Sequence, residues 1–279
     1  MHKTVCFLSL ALSATLAWVA PGDAVADRGQ AGVDFRYGNL NINNPLFAFL
    51  VGDDDISLIG IDLYANTEVA QGLTIGARIP IAHARFDDDS QTTLGNLTFE
   101  MRYQLSAELR TRSWLETSLS IATADDDGEG AQVAGAMAAF WIPDPGLYLP
   151  NTNTVRLMYR HHWNARRNSH ASRGLAVEFG AGAHFLLRDD AEDRFRIPVT
   201  VTGKLGLSAQ AQALARFGTY WTSGAEDGED DFLHILEAGL GLTGVGRGRM
   251  EVLVYLPLDD TYRDTLEAWG LTIGFRSGF

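Results

Sequence analysis

The sequence W-G-L-T-I-G-F-R-S-G-F (residues 269–279) decides the fold. Its alternate residues are Trp, Leu, Ile, Phe, Ser and Phe, and the residues between them are Gly, Thr, Gly, Arg and Gly. Alternation with a period of two over this length predicts a β-strand with one apolar face and one small or polar face. We expect the apolar face to contact an apolar environment, because the terminal aromatic Phe279 suits an anchored strand better than a fraying chain end.

The same alternation recurs along the chain, and helical spacing fits none of these segments better. In residues 73–82, 97–105, 175–185 and 195–202, the odd-numbered positions are apolar and most of the even-numbered positions are polar or small. Further predicted strands cover residues 31–38, 56–65, 115–123, 131–141, 154–163, 205–221, 232–242 and 247–257. Alternating segments of about ten residues between turn residues are typical of transmembrane β-barrels.

The first 26 residues predict a secretory leader. His2 and Lys3 precede an apolar run at 5–20, and the small residues Ala24-Val25-Ala26 follow. This arrangement matches a charged region, a hydrophobic region and a cleavage site, so we expect cleavage before Asp27 and one domain over 27–279. The single cysteine, Cys6, lies in this leader. The mature chain would therefore hold no disulfide, unlike small secreted scaffolds.

The stretch at 269–279 also resembles the C-terminal assembly signal of bacterial outer-membrane β-barrels. Thr272, Gly274 and Phe279 match that signal, whereas Ser277 stands where it has an aromatic or apolar residue. The resemblance implies an all-β fold, a transmembrane antiparallel up-and-down β-barrel in the bacterial outer membrane. It also implies contact with membrane lipid and lipopolysaccharide, and insertion by the barrel-assembly machinery. A soluble periplasmic sandwich with the same strand period is the alternative fold.

Acidic clusters separate many of the predicted strands. They lie at residues 53–55, 87–89, 125–127, 189–190, 226–231 and 259–260, whereas the other connections are short or carry arginine. Outer-membrane barrels have long outer loops and short periplasmic turns, so we expect these clusters to be extracellular. Ordinary solvated turns are the alternative.

The number of strands follows from these clusters. Three predicted strands lie between the clusters at 125–127 and 189–190, although two loops on the same side need an even number. Either residues 141–153 contain an extra crossing, or one of the three strands does not span the membrane. We prefer 12 strands, and 14 is the alternative.

The polar face of each strand predicts the residues of the lumen. Glycines on that face, such as Gly76, Gly180 and Gly270, would leave space there. The lumen or selectivity candidates are Arg78, Arg102, Arg156, Arg160, Arg194, Arg196, Lys204, Arg216, Glu100, Glu178 and Glu237, with Arg276 and His184 beside them. Most are basic, although the net charge of the chain is −13, which argues against nucleic acid as a partner. Two interpretations remain open, an interior of paired charges or an electropositive pore.

Aromatic residues mark the predicted strand ends. Trp114, Trp141, Trp163, Tyr220, Trp221, Tyr255 and Trp269 all lie near such ends. In a transmembrane barrel these positions predict aromatic girdles at the two membrane surfaces. In a soluble protein the same residues would form the core.

The first functional hypothesis is a passive porin-like channel or transporter for small polar or anionic solutes. The alternative is a non-conducting barrel with a structural or adhesin-like surface role. A third is a lipid-modifying enzyme, because His170 and Ser172 resemble the His-x-Ser pair of outer-membrane lipid A deacylases. Their polar surroundings predict a loop, so we predict no catalytic site. We also predict no cofactor and no metal site, since the aspartates at 125–127 lack the full spacing of a calcium loop.

Overall fold

The structure is a computed structural model, and it describes residues 29–40, 56–86, 89–108, 110–141, 143–165, 174–189, 192–223, 232–245, 248–259 and 268–278. The predicted leader, Phe279, His170 and Ser172 lie outside these ranges. The acidic residues at 53–55, 87–88, 190, 226–231 and 260 also lie outside them.

Antiparallel strands close into a barrel within the described ranges. The strands are β1 (Gly29–Leu40), β2 (Ile56–Ala70), β3 (Leu73–Phe86), β4 (Asp89–Leu94), β5 (Leu97–Ala107), β6 (Thr111–Ile121), β7 (Thr152–Asn164), β8 (Leu175–Arg188), β9 (Arg194–Gly206), β10 (Ala211–Thr222), β11 (Phe232–Val245), β12 (Gly248–Pro257) and β13 (Trp269–Gly278). Each strand of the ring pairs with its neighbours in sequence, and β1 pairs with β13 from Gln30–Gly278 to Asn39–Trp269. Apart from β4, the described strands form a closed 12-stranded barrel, which confirms the preferred number.

Two details differ from the predicted strands. β4 pairs only with residues 81–86 of β3, and β3 pairs with β5 only over residues 73–78. The alternation pattern missed β4 because D-S-Q-T-T-L has a single apolar residue. The predicted strand at 205–221 is divided, since β9 ends at Gly206 and β10 begins at Ala211.

The two faces of the barrel confirm the predicted alternation. Large apolar side chains are exposed on the outer face: Ile75, Ile79, Phe99, Met101, Tyr103, Leu105, Leu115, Leu119, Val155, Leu157, Tyr159, Phe179, Phe185, Ile197, Val201, Phe217, Leu240, Val254 and Ile273. Such an apolar band is the surface that a barrel presents to lipid. No helix within the described ranges is long and apolar enough to cross a membrane.

The connections between strands fall at two ends of the barrel. We call one the turn end, where β1 begins, β13 ends, and the chain turns between β2 and β3 at Gln71 and Gly72. We call the other the loop end. By sequence, every acidic cluster belongs to a loop-end connection. Their extracellular location stays a prediction.

The predicted strand at 131–141 is wrong. Residues Gly128–Phe140 form helix α1, and a short 3₁₀ helix follows at Pro145–Leu147. Nearly every residue from 133 to 140 is apolar, so alternate positions carried no information on period, and the alanines there favour a helix. Only β7 and β8 then separate the clusters at 125–127 and 189–190, so one of the three predicted strands does not span the membrane.

Candidate functional site: the lumen and its inward segment

The barrel encloses a cavity of about 530 Å³ that most of the predicted lumen residues line. The predicted residues that line the cavity are Arg78, Arg102, Arg156, Arg160, Lys204, Arg216, Glu100, Glu178 and Glu237, together with Arg276 and His184. Thr272 and Gly274, predicted as part of the assembly signal, also face this cavity. Arg194 and Arg196 do not line it; Arg196 instead donates from Nε to Thr222 Oγ1 (3.1 Å) near the loop end.

The interior is less basic than the sequence analysis predicts. Further charged residues that line the cavity are Asp34, Arg36, Glu116, Asp144, Arg249 and Glu251. Among the described residues of the wall, nine arginines and lysines therefore face seven aspartates and glutamates. Alternation within the predicted strands at 31–38, 115–123 and 247–257 would have found all of these except Asp144, which lies outside the strands.

Ion pairs organise the part of the cavity toward the turn end. Arg160 contacts Glu116 (2.5 Å) and Glu178 (3.1 Å), and Lys204 also contacts Glu178 (3.7 Å). The remaining pairs are Arg102–Glu116 (2.6 Å), Arg216–Glu237 (2.6 Å), Arg249–Glu251 (2.6 Å) and Arg276–Glu251 (3.9 Å). Every acid in these pairs has a basic partner, which keeps its charge compensated inside the barrel.

In each of these pairs the basic side chain is more exposed than the acid. The Arg102 side chain is 59% exposed against 13% for Glu116. The Arg216 side chain is 41% exposed against 7% for Glu237. The cationic groups are therefore the more accessible members of these pairs. A solute in this part of the lumen therefore meets a basic surface, although the charges nearly balance.

The connection between β6 and β7, residues 122–141 and 143–151, enters the loop end of the lumen, and we call it the inward segment. Its side chains form one apolar cluster with interior-facing residues of the wall: Val133, Met137, Phe140, Trp141, Leu147 and Tyr148 pack with Ile56, Leu58, Ala82, Ala84, Tyr220, Leu233, Ile235 and Tyr255. The Trp141 and Tyr255 rings stack with centroids 5.1 Å apart. The segment thus reaches strands on opposite sides of the barrel.

Glycine on β2 makes room for this packing. A Cβ atom on Gly60 would lie 2.9 Å from Met137 Cε and 2.9 Å from Tyr148 Oη. Gly270 on β13 is similar, because its Cβ would lie 3.0 Å from Phe140 Cζ. Inward glycines at the loop end therefore accommodate the inward segment and do not widen the lumen there.

Asn96 holds both ends of the inward segment. Its Nδ2 donates to the carbonyl oxygens of Gly146 (2.9 Å) and Leu149 (2.7 Å). Its Oδ1 accepts from the backbone N–H groups of Thr123 and Ala124, each at 2.9 Å. Asn96 is fully buried, so these bonds are shielded from water. The sequence marks Asn96 only as the residue before β5, and no local pattern reveals this role.

Two polar side chains of the inward segment reach the barrel wall. Tyr148 Oη donates to Asp62 Oδ1 (2.8 Å), and Asp144 Oδ2 accepts from Arg156 Nη1 (3.0 Å). Burial alone would raise the pKa of Asp144, but the guanidiniums of Arg156 and Arg78 outweigh it and hold that pKa below its usual value. Burial, and then the nearby Asp62 charge, raise the pKa of Tyr148 well above its usual value. At neutral pH Asp144 is therefore a carboxylate and Tyr148 a neutral phenol.

The predicted aromatic girdles are correct for only part of the set. Trp163 and Trp269 are exposed on the outer face, as a girdle requires. Trp141, Tyr220 and Tyr255 are buried within the barrel, and Trp114 lines the cavity with its indole N–H on Glu116 (3.0 Å). A position near a strand end did not predict whether an aromatic side chain faces the outside or the interior of the barrel.

The described residues that come nearest to a metal site are Asp125, Asp126 and Asp127. Their carboxylate oxygens lie within 4.8 Å of one another, and all three residues are exposed. Exposed acidic groups of this kind are common without an ion, so this cluster carries no assignment.

The comparisons with known proteins agree with the barrel fold. No protein-family model and no curated protein matches this sequence. An outer-membrane channel from Pseudomonas putida F1 superposes with a TM-score of 0.63 at 12% identity, over 94% of this chain and 100% of that chain. The NanC porin gives 0.53 at 9%, over 88% and 99%. The translocator domain of the autotransporter NalP from Neisseria meningitidis gives 0.54 at 8%, over 100% and 96%. Identities this low show a shared fold alone.

Proposed function

We propose that this multi-pass β-barrel of the bacterial outer membrane is a passive channel for small polar or anionic solutes. The observation that carries the proposal is the exposure of the cations in the open part of the lumen. Arg102, Arg216 and Arg276 line the cavity, and their side chains are more exposed than those of their acidic partners. Fixed cationic groups along a pore attract anions and repel cations.

The size of the cavity supports a small solute. Its volume of about 530 Å³ lies within the usual range for sites that hold small molecules, roughly 300–1,000 Å³. Two of the similar folds are described as an outer-membrane channel and a porin, which favours transport as the role. We also propose membrane lipid, lipopolysaccharide, the barrel-assembly machinery and the transported solutes as its partners.

A non-conducting barrel with a surface role is the second candidate. The inward segment favours it, because α1 and the residues after it pack against interior-facing residues of the wall at the loop end. The translocator domain among the similar folds also shows that this architecture is not confined to porins. We propose no enzymatic activity, since none of the described observations favours the lipid-modifying alternative.

Ion selectivity tests the proposal. The refolded protein, placed in a planar bilayer with a potassium chloride gradient, should give channels whose reversal potential favours chloride. The double variant Arg102→Gln/Arg216→Gln should lower the chloride preference roughly twofold or more, because it removes two exposed lumen charges. Arg85→Gln is a control for the loss of a charge elsewhere, since Arg85 is exposed and lies on β3 outside the cavity wall.

Two results would contradict the channel. A barrel that inserts but passes no current would favour the non-conducting role. Cation-selective channels would leave a pore but remove the basic lumen as its selectivity element.

A further inference from the structure

Three arginines from different strands meet at the underside of the inward segment. Arg36 on β1, Arg78 on β3 and Arg156 on β7 all line the cavity there. Two of their acidic partners belong to the wall. Asp62 contacts Arg36 (2.7 Å) and Arg78 (3.9 Å), and Glu100 contacts Arg78 (3.2 Å) and Arg156 (3.6 Å). The third partner, Asp144, belongs to the inward segment.

Asp144 is a tethered carboxylate in this arginine cluster. Its Oδ2 atom lies 3.0 Å from Arg156 Nη1 and 3.8 Å from Arg78 Nη1. Both arginines therefore approach the same oxygen, and the pair is not the two-point contact that guanidinium and carboxylate groups form at best. A free carboxylate, without a backbone attached, could orient both oxygens toward these two arginines.

The cluster also has unused hydrogen-bond donors. Within the described part of the chain, Arg36 Nε, Arg36 Nη1 and Arg78 Nε have no hydrogen-bond partner. Arg36 is only 8% exposed, and its guanidinium lies 4.5 Å from the Trp141 ring centroid on the cavity wall. These donor atoms are buried while the inward segment is docked, so an acceptor reaches them only when the residues that cover them, such as Trp141 over Arg36, move away.

We propose that Arg78 and Arg156 form a binding site for small monocarboxylates, which replace Asp144 and release the inward segment. The inference rests on the proposed channel function and names its solute class. Removal of Asp144 alone would leave three buried arginines in contact with only two carboxylates, Asp62 and Glu100, which is costly. Exchange for another monocarboxylate leaves the charge of the cluster unchanged, so the segment can leave without that cost. Binding of the transported solute would thus release the inward segment from the loop end of the lumen.

Thiol labelling measures release of the inward segment directly. The only cysteine of the chain is Cys6, in the predicted leader, so the mature protein offers a background without thiols. Val133 is fully buried in the apolar cluster, and Val133→Cys is nearly isosteric. A neutral maleimide should modify this cysteine slowly while the segment is docked. Gln132→Cys is the matched control, because residue 132 is exposed on the same helix.

The probe is sodium acetate, compared with sodium chloride at equal ionic strength and pH 7. We expect acetate to raise the labelling rate of Val133→Cys roughly fivefold or more in a saturable way, and to leave Gln132→Cys unchanged. Adding Asp144→Asn should raise the rate in chloride and abolish the acetate response. Arg156→Lys, which keeps the charge but loses the planar donor pair, should weaken the acetate response several-fold.

The labelling result is independent of conduction, so the two proposals can fail separately. No acetate response in Val133→Cys, or a full response in the Asp144→Asn background, overturns the carboxylate site even if the barrel conducts. An acetate response in a barrel that passes no current supports the site and overturns the channel. If Asp144→Asn does not fold, an undiminished acetate response in Arg156→Lys overturns the site.

Discussion

Both ends of the lumen contain ion pairs of arginine with aspartate or glutamate. The pairs differ in how far they are exposed to water. At the loop end, the Arg36 side chain is 9% exposed and its partner Asp62 is completely buried. Toward the turn end, the Arg102 side chain is 59% exposed above Glu116. Buried pairs cost much to break and fix a structure, whereas exposed pairs contribute little to stability and leave their charge available to solutes.

The inward segment creates this difference. Trp141 and Asp144 lie over the loop-end arginines and exclude water from them. Arg102 has the Trp114 ring 5.6 Å away, yet its side chain stays 59% exposed. One barrel therefore holds a part that fixes the segment and a part that presents charge. Changes at the two ends should separate stability from selectivity.

Removal of α1 should abolish the difference between the ends. We expect replacement of residues 128–140 by a short Gly-Ser linker to raise single-channel conductance about twofold or more, since a helix is about 10 Å wide. The barrel should still fold, because β6 and β7 pair directly from Thr111–Trp163 to Ser120–Thr154. Asn96→Ala is a gentler variant with the same direction, and Asn66→Ala, on the cavity wall without a contact to the segment, is its control. Unchanged conductance would mean that the segment does not limit flow.

Loss of a buried arginine should cost far more stability than loss of an exposed one. Arg36→Met leaves Asp62 buried and poorly compensated, so we expect the free energy of unfolding to fall by roughly 3–5 kcal/mol. Arg102→Met should lower it by less than about 1 kcal/mol. Urea unfolding in detergent micelles, followed by tryptophan fluorescence, measures both. The double variant Arg36→Met/Asp62→Leu should recover much of the loss, and equal losses for both single variants would contradict the comparison.

The barrel was predictable from sequence because its signal is local. Each strand shows its own period of two, so the outer face and lumen residues such as Arg102 and Glu178 follow without knowledge of the fold. The inward segment was not predictable in this way, because Asn96 contacts Gly146, 50 residues away in sequence, and Gly60 contacts Tyr148, 88 residues away.

One overlooked signal did exist for the inward segment. Residues 56–61, I-S-L-I-G-I, carry Ile56 and Leu58 on the face that should line a polar lumen. Leu233 and Ile235 on β11 do the same. Apolar residues on both faces of a barrel strand indicate that something apolar fills the interior at that height. Asp144 had no such signal, since its role depends entirely on where the segment packs.

Acid should loosen the docking of the inward segment at the loop end. The pKa of Asp144 lies below its usual value, so its contribution to docking is complete above about pH 4 and is lost as the pH falls through the lowered pKa. We therefore expect single-channel conductance to rise as the pH drops below about 4. In Asp144→Asn the conductance should already be high at neutral pH and should not rise further by this route. A conductance that falls in acid in both proteins would contradict the assignment of Asp144.

Arg194 and Arg196 give the smallest expected effect and the sharpest test of the boundary between the two ends. Both were predicted to set selectivity, yet neither lines the cavity. Arg196 is bound to Thr222, and its guanidinium lies 6.0 Å from the ring of Tyr220, which packs in the apolar cluster. We expect Arg194→Gln/Arg196→Gln to change the reversal potential clearly less than Arg102→Gln/Arg216→Gln, which removes the same charge from the open part of the lumen. An equal change would mean that ions pass the loop end beside β9, and that the inward segment leaves a conducting route there.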